Sequence, residues 1–325
     1  MRMPSLCFLK KYQDVLPLLL FIATGFCACS SSQPMEMEYV ETPDVEDPFD
    51  NGYVGRLSFQ GDTMRVLILG NSFSSDATAY LNEIVNEAGL NPKTFCIYNG
   101  VISGGGINEW IQSFEEDTPR PFYRMAGAME MDVSGNLRDI LGQQWDVCVF
   151  LQYSDVSYRW DSFETQLPKL VEIVKDNCHN PQLSLAYMMP WTHTAETTRH
   201  EWNGNISCAR KIAKEYGITV FPVGTAIQNA RYQKLDNGLY LTRDNWHLCH
   251  GVGRFVAACT LYESLLSSFA KRNILDIPVV HQLTEEEGKA VGTMVVDSTN
   301  ASICKRCAFG AVEKPFAVTR DIASY

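Results

Sequence analysis

The sequence predicts an α/β fold in which a central, mostly parallel sheet lies between two layers of helices. Short apolar runs alternate with segments of helical periodicity from residue 64 onward, and this alternation is typical of parallel strands joined by crossover helices. The run 146–151 (DVCVFL) is apolar after its first residue, as expected for a strand covered on both faces. Hydrophobic residues form 46% of the 325-residue chain, enough for a substantial core.

The first 28 residues are predicted to be a signal peptide. A basic start precedes an apolar run at 15–26 that is short for a bilayer span. The small residue Ala28 directly precedes Cys29, an arrangement typical of bacterial lipoproteins. We therefore expect Cys29 to be lipidated and the protein to be exported to the cell envelope, on its periplasmic or surface face, with the lipid as its membrane anchor. An ordinary secreted protein cut near Ala28 is the alternative.

Charge and composition divide the rest of the chain. Between residues 35 and 50 there are seven acidic residues and no basic one, so residues 29–60 are predicted to form a solvated tether. Residues 61–272 are predicted to form the main domain, and 273–325 a C-terminal packing segment. The formal net charge of −11 argues against nucleic acid as a partner.

The predicted elements follow in chain order: a strand at 64–69, a helix at 76–88, strands at 94–98 and 146–151, a helix at 166–178, strands at 183–188 and 218–222, and helices at 251–269 and 283–291. In parallel sheets, sites lie beyond the carboxyl ends of the strands. Ser72, Ser103–Gly104 and Gln152 each follow a predicted strand. We therefore expect these three polar clusters to meet at one edge of the sheet.

Ser72 is the candidate nucleophile. It stands where the first strand, through Gly70, gives way to a helix, a position that exposes its hydroxyl and turns the next amides outward. A helix cap is the ordinary alternative for a serine at this place. The predicted helix has closer candidate caps in Ser74, Ser75 and Asp76. Ser72 is therefore not needed as a helix cap.

Asp244 and His247 are the candidate partners of this serine. Their spacing of three residues allows one turn to bring the carboxylate to the imidazole. The carboxylate then fixes the tautomer of the ring, and the other ring nitrogen takes the serine proton. A solvated loop with a chance Asp and His is the alternative. His250 lacks an aspartate at the same offset, because position 247 is the histidine itself.

Donors for a developing oxyanion are predicted after the second and third strands. Glycines at 104–106 allow a backbone N–H to approach a ligand, although a flexible turn has the same composition. The side-chain amide of Gln152 is a further candidate donor, and an ordinary polar strand end is its alternative. Cys304 and Cys307 have the spacing of half a zinc site, but no second CxxC or CxH pair is present. No metal or cofactor is predicted.

The set Gly70–Asn71–Ser72, Ser103–Gly104, Gln152 and Asp244-x-x-His247 resembles the SGNH/GDSL hydrolase superfamily. The local sequence is most similar to the bacterial branch DUF4886. The segments that carry this similarity are ILGNSFSSDATAYL, LQYS, 220–231 (VFPVGTAIQNAR) and 247–263 (HLCHGVGRFVAACTLYE). The resemblance covers residues 64–270 and implies an SGNH-type, flavodoxin-like three-layer sandwich. It also implies that Ser72 is nucleophile, His247 base and Asp244 its orienter, with the amides of Ser72 and Gly104 in the oxyanion hole.

Two positions depart from the superfamily pattern. Asn71 replaces the aspartate of the GDS motif, and the GxND block is absent, with Gln152 at the corresponding strand end, as in some carbohydrate acetylesterase relatives. Together with export, the resemblance implies an esterase that removes acetyl or another short acyl group from a carbohydrate or small molecule. Asn71, Tyr153 and Trp191 are candidate substrate-binding residues, and core packing is the equal alternative for Trp191.

Two other functions remain open from the sequence. A non-catalytic glycan-binding lipoprotein would retain the fold without hydrolysis, although a binding protein has no need of Ser, His and Asp together. A metal hydrolase would use His193, His200, His247 and His250, but carboxylates at ligand spacing are lacking.

Overall fold

The apolar runs of the sequence form strands of one sheet. In this computed structural model, which describes residues 47–125, 129–193 and 198–325, the sheet consists of β1 (Met64–Gly70), β2 (Phe95–Val101), β3 (Arg120–Met125), β4 (Met129–Gly135), β5 (Val147–Phe150), β6 (Ser184–Met188) and β7 (Thr219–Phe221). The strand order is β4-β3-β2-β1-β5-β6-β7. All described residues belong to one compact unit.

Five of these strands are parallel. β1 lies at the centre and pairs in parallel with β2 on one side and with β5 on the other, and β6 and β7 continue the parallel part. β3 and β4 form an antiparallel hairpin that extends the sheet beyond β2. The predicted mostly parallel sheet is confirmed, and the hairpin is an addition that the sequence pattern did not reveal.

Helices connect the strands and cover the sheet. They are α1 (Ser72–Thr78), α2 (Leu81–Glu87), α3 (Ile107–Glu115), α4 (Leu137–Leu141), α5 (Asp161–Glu164), α6 (Gln166–Asn177), α7 (Thr198–Tyr216), α8 (Val223–Tyr232), α9 (Val252–Leu261), α10 (Ser267–Ala270), α11 (Glu285–Lys289) and α12 (Ser298–Glu313). A π-helical turn, Tyr262–Leu266, joins α9 to α10. None of the described helices has the length and apolarity needed to cross a membrane.

The core consists of two apolar layers, one on each face of the sheet. Along β1, Val66 and Ile68 point into one layer, whereas Leu67 and Leu69 point into the other, as the two-residue period of a strand requires. Side chains from α1, α2, α8, α9 and α12 fill the first layer, and those from α3, α4, α6 and α7 fill the second. The predicted three-layer α/β/α architecture is therefore confirmed.

Residues 47–60 do not extend away from the domain as the predicted tether does. The Lys214 ammonium lies 2.9 Å from the Asp47 carboxylate, and Arg56 lies 2.6 Å from the buried carboxylate of Glu263. The Gly55 N–H donates to the Val312 carbonyl. The acidic composition suggested solvation, but Lys214 and Arg210, far along the chain, pair with Asp47 and Asp50. The predicted signal peptide, Cys29 and the earlier part of the tether lie outside the described residues.

The C-terminal residues complete the first layer of the core. The predicted helix at 283–291 is the short α11, whereas the main element is α12, which the sequence pattern did not reveal. Asp297 caps α12 by accepting the N–H groups of Thr299 and Asn300. Cys304 and Cys307 of α12 are fully buried free thiols. Burial raises the pKa of both, so they are packing residues.

Glu287 of α11 joins this C-terminal part to the rest of the domain. Its carboxylate accepts hydrogen bonds from the Tyr80 hydroxyl at 2.8 Å and from the Thr284 N–H at 2.9 Å. The rings of His281 and His250 lie 3.4 and 3.6 Å from it. Burial alone raises the pKa of this carboxyl, but the hydrogen bonds from Thr284 and Tyr80 and the nearby His281 outweigh burial and lower the pKa to about 2.

Acid should therefore weaken the domain through Glu287. A depressed carboxyl pKa stabilises the native state above the unfolded pKa of about 4.5, and this contribution is lost as the pH falls from 4.5 toward 2. We expect Glu287→Gln to remove on the order of 3 kcal/mol of pH-dependent stability over this range. Urea unfolding between pH 6 and pH 2.5 measures it, with the exposed Glu285→Gln as control. Equal pH dependence in all three proteins contradicts the prediction.

Candidate active site

The serine turn presents the Ser72 hydroxyl without using it as a cap. β1 ends at Gly70 and α1 begins at Ser72. Asn71 is the N-cap, because its side-chain oxygen accepts the Phe73 N–H at 2.9 Å. A Cβ at Gly70 would lie 2.0 Å from the Ser74 Oγ, so only glycine fits before the cap. The expected caps, Ser74 to Asp76, are not needed, and the Ser72 hydroxyl is free to face His247.

His247 joins Ser72 to Asp244. Its Nε2 lies 2.9 Å from the Ser72 Oγ, and its Nδ1 lies 2.7 Å from the Asp244 Oδ2. The other carboxylate oxygen accepts the N–H of His247 at 2.7 Å. Because the carboxylate faces Nδ1, that nitrogen carries the proton and Nε2 is left as an acceptor for the serine hydroxyl. The structure thus brings the three predicted residues into one hydrogen-bonded line.

The Asp244 carboxyl is kept ionised by the loop that contains it. Partial burial raises its pKa, but the backbone and ring N–H groups of His247 and the backbone N–H of Trp246 together outweigh burial. The result is a pKa below the ordinary value for aspartate. A carboxylate that remains charged holds the imidazole in place and stabilises the imidazolium that forms when the ring takes a proton.

Asp76 fixes the loop that carries Asp244 and His247. This carboxylate is 1% exposed and lies 3.0 Å from Arg243 and 2.8 Å from Arg254. It also accepts the Leu248 N–H at 2.7 Å. These contacts therefore hold the loop that carries Asp244 and His247 at its start and just beyond His247. Sequence reasoning treated Asp76 as a possible cap, since its partners are 167 and 178 residues away along the chain.

Trp191 supports the same loop from inside the core. Its ring stacks on Phe73 with a centroid separation of 3.9 Å and an interplanar angle of 3°. Its Nε1–H donates to the Trp246 carbonyl at 2.7 Å, and only 1% of the residue is exposed. The prediction that a substrate ring stacks on Trp191 is therefore wrong. The segment that follows β6 includes Trp191 and lies in the core beneath Phe73.

Two backbone N–H groups are candidate oxyanion donors, one in the serine turn and one in the glycine loop after β2. The N–H of Ser72, as the first residue of α1, has no intrahelical partner. Gly104 has φ +63°, with open space where a Cβ would stand. Neither N–H makes a hydrogen bond to another residue in the described parts of the chain. The Asn71 Nδ2 donates to the Gly105 carbonyl at 2.8 Å and so ties the glycine loop to the serine turn.

Gln152 is engaged elsewhere and does not offer a donor to the site. Its Oε1 accepts the N–H groups of Ile107 and Tyr153 at 3.2 and 2.9 Å. Its Nε2 donates to the carbonyl and hydroxyl oxygens of Ser162 at 2.9 and 3.3 Å. Both ends of the amide join the end of β5 to neighbouring segments. The prediction of Gln152 as an oxyanion donor is wrong in this arrangement.

The remaining candidates differ in position. Asn71 is 3% exposed and uses both ends of its amide, one on the Phe73 N–H and the other on the Gly105 carbonyl, so it positions the site and is not open to a substrate. Tyr153 is half-buried on the loop after β5, and its hydroxyl donates to the Asp155 Oδ2 at 2.8 Å. That hydrogen bond, with burial, raises the pKa of Tyr153. The role of Tyr153 in substrate binding stays a prediction.

From the sequence, His193 was expected in a segment that walls the site and in the metal alternative, without a role toward the substrate, and Trp246 was not assigned to the site. The His193 ring lies 6.2 Å from the Phe73 ring and 6.3 Å from the Trp246 ring, measured between centroids. Trp246 is 48% exposed, although it stands between Asp244 and His247. The position of Trp246 inside the Asp-x-x-His motif was the sequence signal that could have assigned it to the site. In contrast, His250 contacts Glu287 and Arg254 and is not part of the line to Ser72.

Within residues 47–125, 129–193 and 198–325, no group of three or more His, Cys, Asp or Glu side chains is arranged to hold a metal ion. The histidines of the predicted metal alternative have other partners where the structure describes them: His247 contacts Ser72 and Asp244, and His193 contacts Glu201.

Comparison with known families places this chain. The model of the domain of unknown function DUF4886 matches residues 65–286, which is more than half of the sequence. The chain belongs to the DUF4886 family. A solved DUF4886 family protein from Bacteroides uniformis is 25% identical, with a TM-score of 0.68 over 81% of this chain and 99% of that one. No curated protein matches. The predicted resemblance to DUF4886 is confirmed.

More distant solved structures are also similar to this DUF4886 chain. A variant of Axe2, an acetylxylan esterase from Geobacillus stearothermophilus, is 15% identical, with a TM-score of 0.46 over 63% of this chain and 95% of that one. A gut microbial diltiazem-metabolizing enzyme is 13% identical, with a TM-score of 0.42 over 65% of this chain and 48% of that one.

Proposed function

We propose that this protein is a serine esterase that removes acetyl or other short acyl groups, with carbohydrate esters as its substrates. The observation that carries the proposal is the position of His247, whose two ring nitrogens lie 2.9 Å from the Ser72 hydroxyl and 2.7 Å from the Asp244 carboxylate. A serine at a strand-to-helix turn, a histidine and a carboxylate in this order form the nucleophile, base and orienter of acyl transfer.

In the proposed reaction, the Ser72 Oγ attacks the carbonyl carbon of the ester while His247 Nε2 takes the hydroxyl proton. The C–O bond to the alcohol then breaks, and the imidazolium returns the proton to the departing alcohol oxygen. Water attacks the acyl-serine with His247 again as base, which releases the carboxylic acid and restores Ser72. These reaction steps need no cofactor or co-reactant other than water.

The tetrahedral intermediates require donors for the carbonyl oxygen once it becomes negative. We assign this role to the N–H groups of Ser72 and Gly104, which have no partner within the described residues. The Ser72 amide also lies at the start of α1, where free N–H groups favour a negative charge. Removal of one such donor typically costs about 10²–10³-fold in kcat. Gln152 has no part in the proposal, since its amide is already bonded.

The cellular location is also a proposal. The Ala28–Cys29 junction after a short apolar run supports an exported, lipid-anchored protein of the bacterial envelope, where glycans are abundant. The acidic chain favours neutral substrates over polyanions.

Hydrolysis of p-nitrophenyl acetate by the purified domain, residues 47–325, tests the function. We expect ester hydrolysis well above the uncatalysed rate and none of p-nitrophenyl phosphate, because the described residues around Ser72 provide a nucleophile but no cationic phosphate clamp. Ser72→Ala, purified in parallel, controls for contaminating esterases. A folded protein that hydrolyses neither p-nitrophenyl acetate nor acetylated sugars contradicts the proposal and leaves the glycan-binding alternative.

A further inference from the structure

His193 has a buried nitrogen without a partner. Its Nδ1 lies 3.1 Å from the Glu201 Oε1, and its own N–H donates to the Glu201 Oε2 at 2.8 Å. The residue is only 8% exposed, yet its Nε2 makes no hydrogen bond to any described residue. The nearest carboxylate oxygen, on Asp155, is 4.0 Å away, beyond hydrogen-bond distance. Buried polar atoms are rarely left unpaired in native structures, so this atom points to a ligand.

The chemistry of that ligand follows from the tautomer. In the neutral form of the ring, the proton is on Nδ1, because Glu201 faces that nitrogen, and Nε2 is an acceptor. An acceptor requires a donor such as a hydroxyl group. Asp155, 46% exposed through its side chain, adds a second acceptor 4.0 Å from the first. Adjacent hydroxyl groups of one molecule are able to satisfy both, whereas a phosphate or carboxylate is repelled by Asp155 and Glu201.

Trp246 provides an apolar surface beside this acceptor. Its ring is 6.3 Å from that of His193, and its side chain is among the exposed large hydrophobic residues. The backbone on both sides of the ring is fixed, since its N–H donates to Asp244 and its carbonyl accepts the Trp191 Nε1–H. A rigid, exposed aromatic face packs well against the flat C–H face of a sugar ring, which buries apolar area without ordering a flexible side chain.

The two features lie next to the proposed nucleophile. The rings of His193 and His247 are 6.2 and 6.0 Å from the same Phe73 ring, and Phe73 directly follows Ser72. A ligand on Trp246 therefore lies beside the next residue in the chain, His247, whose Nε2 is 2.9 Å from the Ser72 Oγ. This placement suits the alcohol part of an ester, because the small acyl group needs no hydroxyl acceptors.

We infer that His193 and Trp246 form a subsite for a neutral pyranose ring that carries the ester, with the ring face on Trp246 and a free hydroxyl donating to His193 Nε2. Glu201 is the positioning residue that fixes the tautomer of His193. The inference rests on the proposed esterase function and adds the class of alcohol and the residues that select it.

Two kinds of substrate with the same acyl group separate the inference from the proposed function. The probes are a set of methyl β-xylopyranosides, each acetylated at one hydroxyl, and glycerol monoacetate, which is acyclic. We expect at least one xyloside to have a kcat/KM ten-fold or more above that of glycerol monoacetate. Hydrolysis of both probes at equal kcat/KM overturns the subsite and leaves the esterase intact. Hydrolysis of neither overturns the esterase and, with it, the subsite.

Variants then assign the preference to residues. Trp246→Ala should lower kcat/KM for the preferred xyloside at least ten-fold, mainly through KM, with less than a three-fold change for glycerol monoacetate. Trp246→Phe should retain most of the preference. Val291→Ala, at an exposed apolar residue elsewhere, is the matched control. Equal losses on both probes in Trp246→Ala indicate a general effect on the triad loop and contradict the assignment.

His193 is tested by two polar replacements that differ in how far the side chain reaches. The shorter amide of His193→Asn still reaches Glu201 but has no atom at the Nε2 position, whereas the longer amide of His193→Gln places a polar atom near it. His193→Asn should raise KM for the xyloside about ten-fold, and His193→Gln should recover part of that loss. No change in KM for the xyloside with His193→Asn, in a folded protein, overturns the role of Nε2.

Discussion

Ser72→Ala should reduce kcat/KM for p-nitrophenyl acetate by on the order of 10⁴–10⁶-fold, with little change in stability. The hydroxyl contacts His247 Nε2 and is not needed to cap α1, because Asn71 has that role. Loss of this one oxygen removes the nucleophile while the turn remains. Initial rates give kcat/KM, and urea unfolding gives the stability. Ser75→Ala, three residues along the same helix, is the matched control and should retain activity within about three-fold.

Substitution of the other two residues of the hydrogen-bonded line, His247 and Asp244, should lower kcat/KM by the same factor or less, and these losses should not add to that of Ser72→Ala. His247→Ala is expected to match Ser72→Ala, and the double variant should be no worse than either, because residues that act as one unit are not additive. Asp244→Asn removes the charge that fixes the ring and should cost about 10⁴-fold. Retention of more than a tenth of the parent activity in His247→Ala contradicts the assignment of the base.

Asp76→Ala should destabilise the domain by about 3–5 kcal/mol, because it leaves two partly buried arginines without their carboxylate. Arg243 and Arg254 are 24% and 18% exposed at their side chains, and Asp76 is 1% exposed. Release of this contact also frees the segment that carries Asp244 and His247, and a misplacement of about 1 Å is enough to cost about 10²-fold in rate. Urea unfolding and kcat for p-nitrophenyl acetate measure the two effects.

Asp161→Ala is the control for this experiment. Its ion pair with Arg159 is 3.9 Å long, and both side chains are more than half exposed, so its loss should change stability by no more than about 1 kcal/mol. Asp76→Asn keeps the shape but not the charge and should fall between the two. If Asp76→Ala unfolds at the same urea concentration as the parent and keeps its kcat, the role given to Asp76 is wrong.

The fold was predictable where hydrophobic pattern decides structure. The runs that became β1, β2, β5, β6 and β7 are apolar because each of these strands is covered by helices, and periodicity reports such burial. The hairpin of β3 and β4 was missed because Arg120, Pro121 and Arg124 interrupt the apolar pattern of β3, which is only partly buried. α12 was missed because its small residues and cysteines give a weak amphipathic pattern.

The site was predictable where a motif has local geometry. Asp244 and His247 are three residues apart, so one turn brings them together, and Ser72 follows a recognisable strand end. Gln152 was assigned wrongly, and the two alternatives for Trp191 stayed open, because sequence does not show which way a side chain beyond a strand end points. The contacts of Asp76 and the unpaired nitrogen of His193 depend on residues that only the tertiary fold makes neighbours.

Covalent labelling with a fluorophosphonate tests the central claim most directly, because this reagent modifies serines that an adjacent base activates. The labelled protein would be digested and the modified peptide located by mass spectrometry. We expect one label on Ser72 in the parent protein, none in Ser72→Ala and strongly slowed labelling in His247→Ala. An unmodified Ser72 in a folded protein, or a label on another serine that persists in Ser72→Ala, would contradict the assignment of the nucleophile.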